Sequence, residues 1–159
     1  MSEQFVSACS IGLIAVAAVV GGILFMQRGA HMELTGSMTV RTIATEDQTS
    51  LALVNLHITN PAAYGFEAHN ITVTLETSAG AFPGVTISRV DAQRMFDSMP
   101  DAGPFHPPLY TNAVIPAHST SDYTLVAQFD KPEATLKDRK RFVVRVEEIN
   151  GKVAEFPEK

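Results

Sequence analysis

The sequence predicts a mainly β protein: an N-terminal transmembrane α-helix followed by an antiparallel immunoglobulin-like β-sandwich with one short helix inserted. Three observations lead to this fold class. The first is a run of 22 uncharged residues near the N-terminus. The second is an alternation of apolar and polar residues over several later segments, which is the period of β-strands. The third is one segment whose apolar residues instead follow helical spacing.

Composition narrows the class of protein before any motif is considered. The 159 residues amount to one domain of ordinary size. Charged residues make up 18% of the chain, and the formal net charge is −5. This composition excludes collagen-like, disulfide-rich and charge-driven disordered proteins. The negative charge also argues against a nucleic-acid partner, because a polyphosphate requires a positive face.

The predicted transmembrane helix covers residues Phe5 to Met26, between an N-terminal tail (1–4) and a tether (27–36). At about 1.5 Å per residue its length is roughly 33 Å, and a bilayer core is about 30 Å thick. We therefore expect Phe5–Met26 to contact membrane lipid. A cleavable signal peptide is the alternative, but the segment lacks a basic start and a clear cleavage site. Cys9, the only cysteine, lies within the span.

The membrane side of the β domain is left open by the flanking charges. Arg28 is the one basic residue beside the span, and the positive-inside rule would then place the domain in the cytoplasm. Short N-terminal anchors that carry a β domain more often export that domain. We therefore expect a single-pass protein of the plasma membrane with its β domain on the outer face.

Residues 37–159 are predicted to form the sandwich. The second strand shows the pattern most clearly, because Ala52, Val54, Leu56 and Ile58 share one face and Asn60-Pro61 ends the run. Asn150-Gly151 predicts a tight hairpin near the C-terminus. About seven short strands favour a sandwich, with an open barrel as the competitor. The predicted strands are 37–45, 50–59, 66–77, 82–88, 122–129, 141–149 and 152–156.

The same alternation predicts which side chains point into the core of the β domain. Strands with one buried face place every second residue inward. The predicted inward residues are Ala52, Val54, Leu56, Ile58, Ile71, Val73, Leu75, Tyr123, Leu125, Ala127, Phe129, Phe142, Val144 and Val146.

An insert interrupts the strands at residues 88–116. Ser88 is placed to cap a helix over 88–99, with Asp91 in its first turn, and Pro100 ends the helix. A Pro-rich loop follows over 100–116. Loops longer than about 15 residues are uncommon in compact domains and tend to be functional or disordered.

The insert supplies the candidate contact residues for a partner or ligand. Methionine and aromatic side chains are enriched at interface cores. The alternative is that the helix covers one end of the sandwich and buries its apolar face there. The candidate residues are Met95, Phe96, Met99, Phe105, Leu109 and Tyr110.

No residue pattern in the sequence indicates an enzyme, a cofactor or a metal site. The five histidines lack ligand spacing, and the chain has no nucleophile or phosphate-binding motif. One basic cluster, residues 137–141, is interpreted either as a solvated turn or as a contact with anionic lipid.

Two short motifs resemble those of late-embryogenesis-abundant-type immunoglobulin-like domains. One is the strand ending in Asn60-Pro61, and the other is the turn Val114-Ile115-Pro116-Ala117-His118 before the next strand, where the family has glycine in place of His118. The order of anchor, sandwich and insert also resembles small, uncharacterised single-span membrane proteins of bacteria. This resemblance implies a fold and a topology, and it implies no activity.

Two functions are therefore expected from the sequence. The first is a membrane-anchored, non-enzymatic protein-interaction module of the cell envelope, whose partner is another envelope protein. The alternative is a small-molecule or lipid-binding module that uses the helix and the Pro-rich segment. The alternative predicts an apolar cavity under Met95 and Phe96.

Overall fold

The structure is a computed structural model that describes residues 33–158. The predicted span Phe5–Met26 lies outside the described residues. Within residues 33–158, no helix combines the length and the apolar character that crossing a membrane requires. The elements are β1 Thr35–Glu46, β2 Thr49–Asn60, β3 Phe66–Thr77, β4 Gly80–Thr86, α1 Arg89–Ser98, β5 Val114–Ile115, β6 Ser119–Phe129, α2 Glu133–Lys137, β7 Arg141–Glu148 and β8 Val153–Pro157.

The strands form one curled, antiparallel, 8-stranded sheet, so the prediction of a mainly β fold is confirmed. The strand order is β1-β2-β6-β4-β3-β7-β8, and β5 pairs with β3. The longest uninterrupted pairing joins β2 to β6, from Ser50 opposite Phe129 to Asn60 opposite Ser119. Alternation along these strands places one face of each inside the curl.

The main core lies within the curl and contains the inward residues that alternation predicts. Tyr123 is less buried than the other predicted inward residues. It is half-buried and packs against the core. Phe129 on β6 meets Phe142 on β7 edge-on, with ring centroids 5.6 Å apart. Side chains from β6 and β7, which are not neighbours in the sheet, therefore fill the same core.

β4 joins the part of the sheet made of β1, β2 and β6 to the part made of β3, β7 and β8, because it changes partner along its length. Its first part, Gly80–Gly84, pairs with β3, and Val85 and Thr86 pair with β6. The change occurs at Gly84, where an added Cβ would lie 2.5 Å from the Phe129 ring. A glycine is needed there because the ring packs directly on the backbone.

Several local features differ from the sequence-based expectation. β4 spans Gly80–Thr86 where the prediction is 82–88, and β6 begins at Ser119 where the prediction is 122. β1 begins at Thr35, two residues before the predicted domain boundary at 37, and Leu34 is buried in the main core. The short elements β5 and α2 were not predicted. They contain two and five residues, which is too few for apolar periodicity to show.

Candidate binding surface at the insert

The insert begins with α1, whose N-terminus has the predicted cap. The Ser88 side chain accepts a hydrogen bond from the Asp91 amide at 3.2 Å and donates one to Asp91 Oδ2 at 2.7 Å. A 3-10 turn, Pro100–Ala102, follows the helix after Met99. The predicted helix over 88–99 is therefore confirmed within one residue at each end.

α1 packs on the outer face of β2 and β6, away from the main core. Ala92 and Phe96 of the helix form a second buried cluster with Leu53 of β2 and Val126 of β6. Leu53 is fully buried, although alternation along β2 places it on the face opposite Leu56. The helix thus covers a sheet face, whereas the sequence suggested that it covers one end of the sandwich.

Residues 102–105 are held against the sheet by two polar side chains. Arg41 of β1 donates hydrogen bonds to the carbonyls of Ala102 and Pro104, the latter at 3.0 Å. Asn55 of β2 also donates to the Pro104 carbonyl, at 3.1 Å. Because these donors come from two strands, the start of the Pro-rich segment has a defined position over the sheet.

Phe105 completes this attachment by stacking on the helix. Its ring lies 4.3 Å from that of Phe96, with an angle of 13° between the planes. The Arg41 guanidinium lies 5.7 Å from the Phe105 centroid, within the range of a cation–π contact. Phe105 is half-buried, so one part of the ring faces solvent.

The next part of the Pro-rich segment forms one isolated β-bridge beside β6. The Leu109 amide donates to the Thr124 carbonyl at 3.0 Å, and the Thr124 amide donates to the Pro107 carbonyl at 3.1 Å. Pro108 is the residue paired with Thr124, in parallel orientation. Residues 103–113 contain no helix or strand, and hydrogen bonds tie this part of the Pro-rich segment to the sheet at several points.

The six candidate residues divide into core and surface. Phe96 and Leu109 are 6% and 2% exposed, and Leu109 belongs to the main core. Burial leaves each of these two side chains with a small exposed area, Phe96 facing the groove described next and Leu109 facing a second cavity. The half-buried members are Met95, Met99, Phe105 and Tyr110.

An open groove of about 520 Å³ runs between α1 and the Pro-rich segment. Its apolar lining includes Phe96, Phe105 and three prolines, at positions 100, 107 and 108. Its polar lining comes from both sides. The polar residues are Arg89, Gln93, Asp97 and His106.

A second cavity, of about 330 Å³, lies at the other side of Arg89. It reaches apolar side chains of the main core, including Ile71, Leu109 and Leu125. Leu53, Val126 and Phe105 pack in one cluster with Met95 and Phe96, at the place where the sequence predicts an apolar cavity. The cavity of about 330 Å³ lies at the start of α1.

Several charged residues have structural partners. In the basic cluster, Arg139 pairs with Glu158, Arg141 with Glu76 and Lys137 with Glu133. These contacts favour a structural role for the cluster over a lipid-binding one. Hydrogen bonds from the three basic side chains lower the pKa of all three glutamates.

One histidine of the sheet, His57, pairs with a carboxylate. His57 Nδ1 lies 2.6 Å from Asp122 Oδ1, across neighbouring strands and exposed to solvent. Among residues 33–158, no group of three or more His, Cys, Asp or Glu side chains is arranged to hold a metal ion.

Sequence reasoning missed the residues that fix the insert, above all Arg41, Asn55 and Arg89. Their roles depend on which strands become neighbours, which the local pattern does not contain. One signal was available in β2, where Leu51 and Leu53 are apolar on the face assigned to solvent. Two leucines on that face indicate that another element covers it.

Comparison with known proteins identifies no family for this chain. No protein-family model matches the sequence, and no curated protein matches it. A solved structure that the chain resembles is titled "Structure of Iho670 Flagellar-like Filament", with 11% sequence identity over 98% of both chains. Its TM-score of 0.33 is too low for the likeness to bear on fold or function.

Proposed function

We propose that the protein is a single-span, membrane-anchored and non-enzymatic protein-interaction module of the cell envelope. Residues Phe5–Met26 form the anchor, and the β domain lies on the outer face of the plasma membrane. Another envelope protein is the partner. The groove between α1 and the Pro-rich segment is the contact surface.

The strand order supports reading the β domain as an immunoglobulin-like sandwich. The pairings place β1, β2 and β6 in one part of the sheet and β3, β7 and β8 in the other, and β4 bridges them, with five residue pairs to β3 and two to β6. Lettered in chain order, with the short β5 left out, the two parts are A-B-E and C-F-G, and β4 is strand D. Immunoglobulin-like sandwiches, an architecture common among cell-surface proteins, place A-B-E and C-F-G in separate sheets. The resemblance to late-embryogenesis-abundant-type domains stays a prediction.

The groove is the observation that carries the proposed function. It has an aromatic and proline floor with a polar rim, which is the general anatomy of a protein interface. The stacked pair of Phe96 and Phe105 gives this floor a fixed shape. A partner can therefore bury an apolar side chain there without first ordering the surface.

The groove is lined by one charged residue of each sign, Arg89 and Asp97, and Asp97 is the one that faces no cation among the described residues. Asp97 is exposed and lines the groove. Among the described residues, its carboxylate accepts one hydrogen bond, from the Gln93 side chain at 3.1 Å, and forms no ion pair. We infer a partner segment with a bulky apolar side chain next to a lysine or arginine, so that the cation reaches Asp97.

A charge-reversal experiment tests this surface. Full-length protein carrying Asp97→Lys should lose most of the partner that the wild type captures from membranes after in-cell crosslinking. Asp101→Lys is the matched control, because Asp101 is exposed, undergoes the same change of charge and does not line the groove. Lysine near the C-terminus of α1 also suits the helix dipole, so the fold should tolerate the change.

The comparison of the two variants decides the outcome. Loss of one specific protein with Asp97→Lys alone supports the groove as the contact surface. Equal capture by the wild type and both variants would place the contact elsewhere. Proteins captured equally by a tagged span without the β domain count as background.

The alternative function is small-molecule or lipid binding by the same insert. The cavity beside Arg89 favours it, because that cavity reaches the apolar core. Partner capture and ligand binding use opposite sides of Arg89 and can be tested separately.

A further inference from the structure

The cavity beside Arg89 exists because β6 changes partner next to it. At Thr124, β6 is bonded to the Pro107–Leu109 segment. Two residues later the Val126 carbonyl accepts instead from the Ile87 amide, at 2.9 Å. The Pro107–Leu109 segment and Ile87, which directly follows β4, are therefore bonded to different parts of β6 and leave a gap between them in the curled sheet.

β3 shows the matching change on the opposite side of the gap. The Ala68 amide donates to the Ala113 carbonyl at 2.9 Å, and pairing with β4 starts only at Val73 opposite Gly84. Within the described part of the chain, no strand pairs with residues 69–72 at this edge. The gap is therefore bounded by strands on both sides and gives access to the core between them.

The lining of the gap is apolar inside and polar at its mouth. Ile71, Leu109 and Leu125, which are 7%, 2% and 1% exposed, lie among the buried core residues. Thr111 and Arg89 lie at the surface. Such a site suits a molecule with an apolar body and one polar end.

Arg89 gives the mouth a positive charge in a defined position. Its guanidinium lies 4.8 Å from the Tyr110 ring centroid and donates to the Tyr110 hydroxyl at 3.3 Å. Arg139 and Arg141 have carboxylate partners, whereas Arg89 forms no ion pair with any residue in 33–158. Its charge is therefore available to an anion from outside the chain.

We propose that this cavity binds a single-chain anionic amphiphile, with its chain on Ile71, Leu109 and Leu125 and its charged end at Arg89. Charge-assisted hydrogen bonds to a guanidinium are among the stronger polar contacts. A volume of about 330 Å³ holds on the order of ten non-hydrogen atoms at about 30 Å³ each. A medium-chain carboxylate has that size, and a two-chain phospholipid is several times larger.

This site goes beyond the proposed protein-interaction function. The partner groove and the cavity share only Arg89 in their linings. Asp97→Lys alters the groove and leaves the cavity intact. Ligand binding by that variant should therefore remain normal, whatever becomes of partner capture.

Octanoate binding to full-length protein in neutral lipid nanodiscs tests the proposal. Equilibrium dialysis with labelled octanoate, after subtraction of empty discs, should show one molecule per chain. Arg89→Gln should weaken this binding about tenfold or more, the loss expected for a hydrogen bond to a charged group. Arg94→Gln is the control, since Arg94 is exposed on the same helix and lines neither space.

Two further arms separate the apolar and the charged contributions. Thr111→Trp, at an exposed position of the mouth, should block octanoate by filling the gap. Octanol, which has the chain without the charge, should bind the wild type no better than octanoate binds Arg89→Gln. Equal octanoate binding by wild type and Arg89→Gln, or uptake no greater than that of empty discs, would overturn the proposal.

Discussion

At the scale of single residues, Glu158 fastens the C-terminal end of the described chain to the sheet. Its carboxylate accepts from Arg139 Nε at 2.7 Å and from Arg139 Nη2 at 2.5 Å. It also accepts from the Phe142 amide at 3.1 Å. The hydrogen bond from Arg139 is the largest cause of its lowered pKa, and partial burial opposes it.

The contact between Glu158 and Arg139 makes the free energy of unfolding depend on pH in the acid range. The pKa of Glu158 lies below its ordinary value of 4.5 in the folded protein. The stabilisation is therefore fully present above about pH 4.5 and is lost as the pH falls through the folded-state value, because the unfolded chain binds the proton first. The free energy of unfolding should fall less steeply with acid in Glu158→Gln than in the wild type.

Chemical denaturation at a series of pH values measures this dependence. Glu155→Gln is the matched control, because Glu155 is an exposed residue of β8. It should retain the acid dependence of the wild type. A wild-type slope in Glu158→Gln would show that the pair with Arg139 does not stabilise the fold.

Single residues also mark what the sequence could and could not reveal. Alternation predicted that Ala52, Val54 and Leu56 point into the core, because this pattern is local to β2. The hydrogen bonds from Arg41 and Asn55 to the Pro104 carbonyl join residues 63 and 49 positions apart. Contacts of that kind follow from strand order, which no local pattern contains.

At the scale of elements, α1 was predictable in extent but not in placement. Its capping residue, apolar spacing and terminal proline all lie within 13 residues of sequence, 88–100. The face that it covers depends on β2 and β6, which are far from it in sequence. β5 and α2 escaped prediction because their short length gives no period to detect.

The cap of α1 should contribute measurably to the order of the insert. Ser88→Ala removes the side-chain acceptor of the Asp91 amide and should destabilise the helix by about 1 kcal/mol. Amide hydrogen exchange should then speed up over residues 89–98 more than in the strands of the main core. This is the pattern expected if α1 opens locally.

Ser98→Ala provides the matched comparison on the same helix. The Ser98 hydroxyl donates to the Met95 carbonyl at 2.9 Å at the exposed end of α1. Its removal should change exchange by much less. Equal effects of the two substitutions would mean that the Ser88 cap does not hold the helix.

At the level of the whole molecule, the proposed function depends on the proposed membrane anchor Phe5–Met26, which lies outside the described residues. The double substitution Ile14→Lys and Val16→Lys places two charges at the centre of the proposed span. Each costs about 2.5–3.5 kcal/mol in translocon-based measurements. The full chain should stay with membranes after an alkaline wash, and the charged variant should be released.

An apolar double variant makes the anchor test specific. Ile14→Leu with Val16→Leu changes the same positions without adding charge and should stay with membranes. Release of the wild type by the wash would contradict a spanning anchor. Digestion of a C-terminal tag by protease added to intact cells should place the β domain on the outer face.

The proposed contact between the groove beside α1 and another envelope protein can be tested in cells. Full-length protein is photo-crosslinked with the photoreactive residue at position 93 in the groove or at position 145 on β7. One specific adduct is expected from position 93, Asp97→Lys should remove it, and no such adduct is expected from position 145. Absence of an adduct at position 93, or the same adduct from both positions, would contradict the proposed contact.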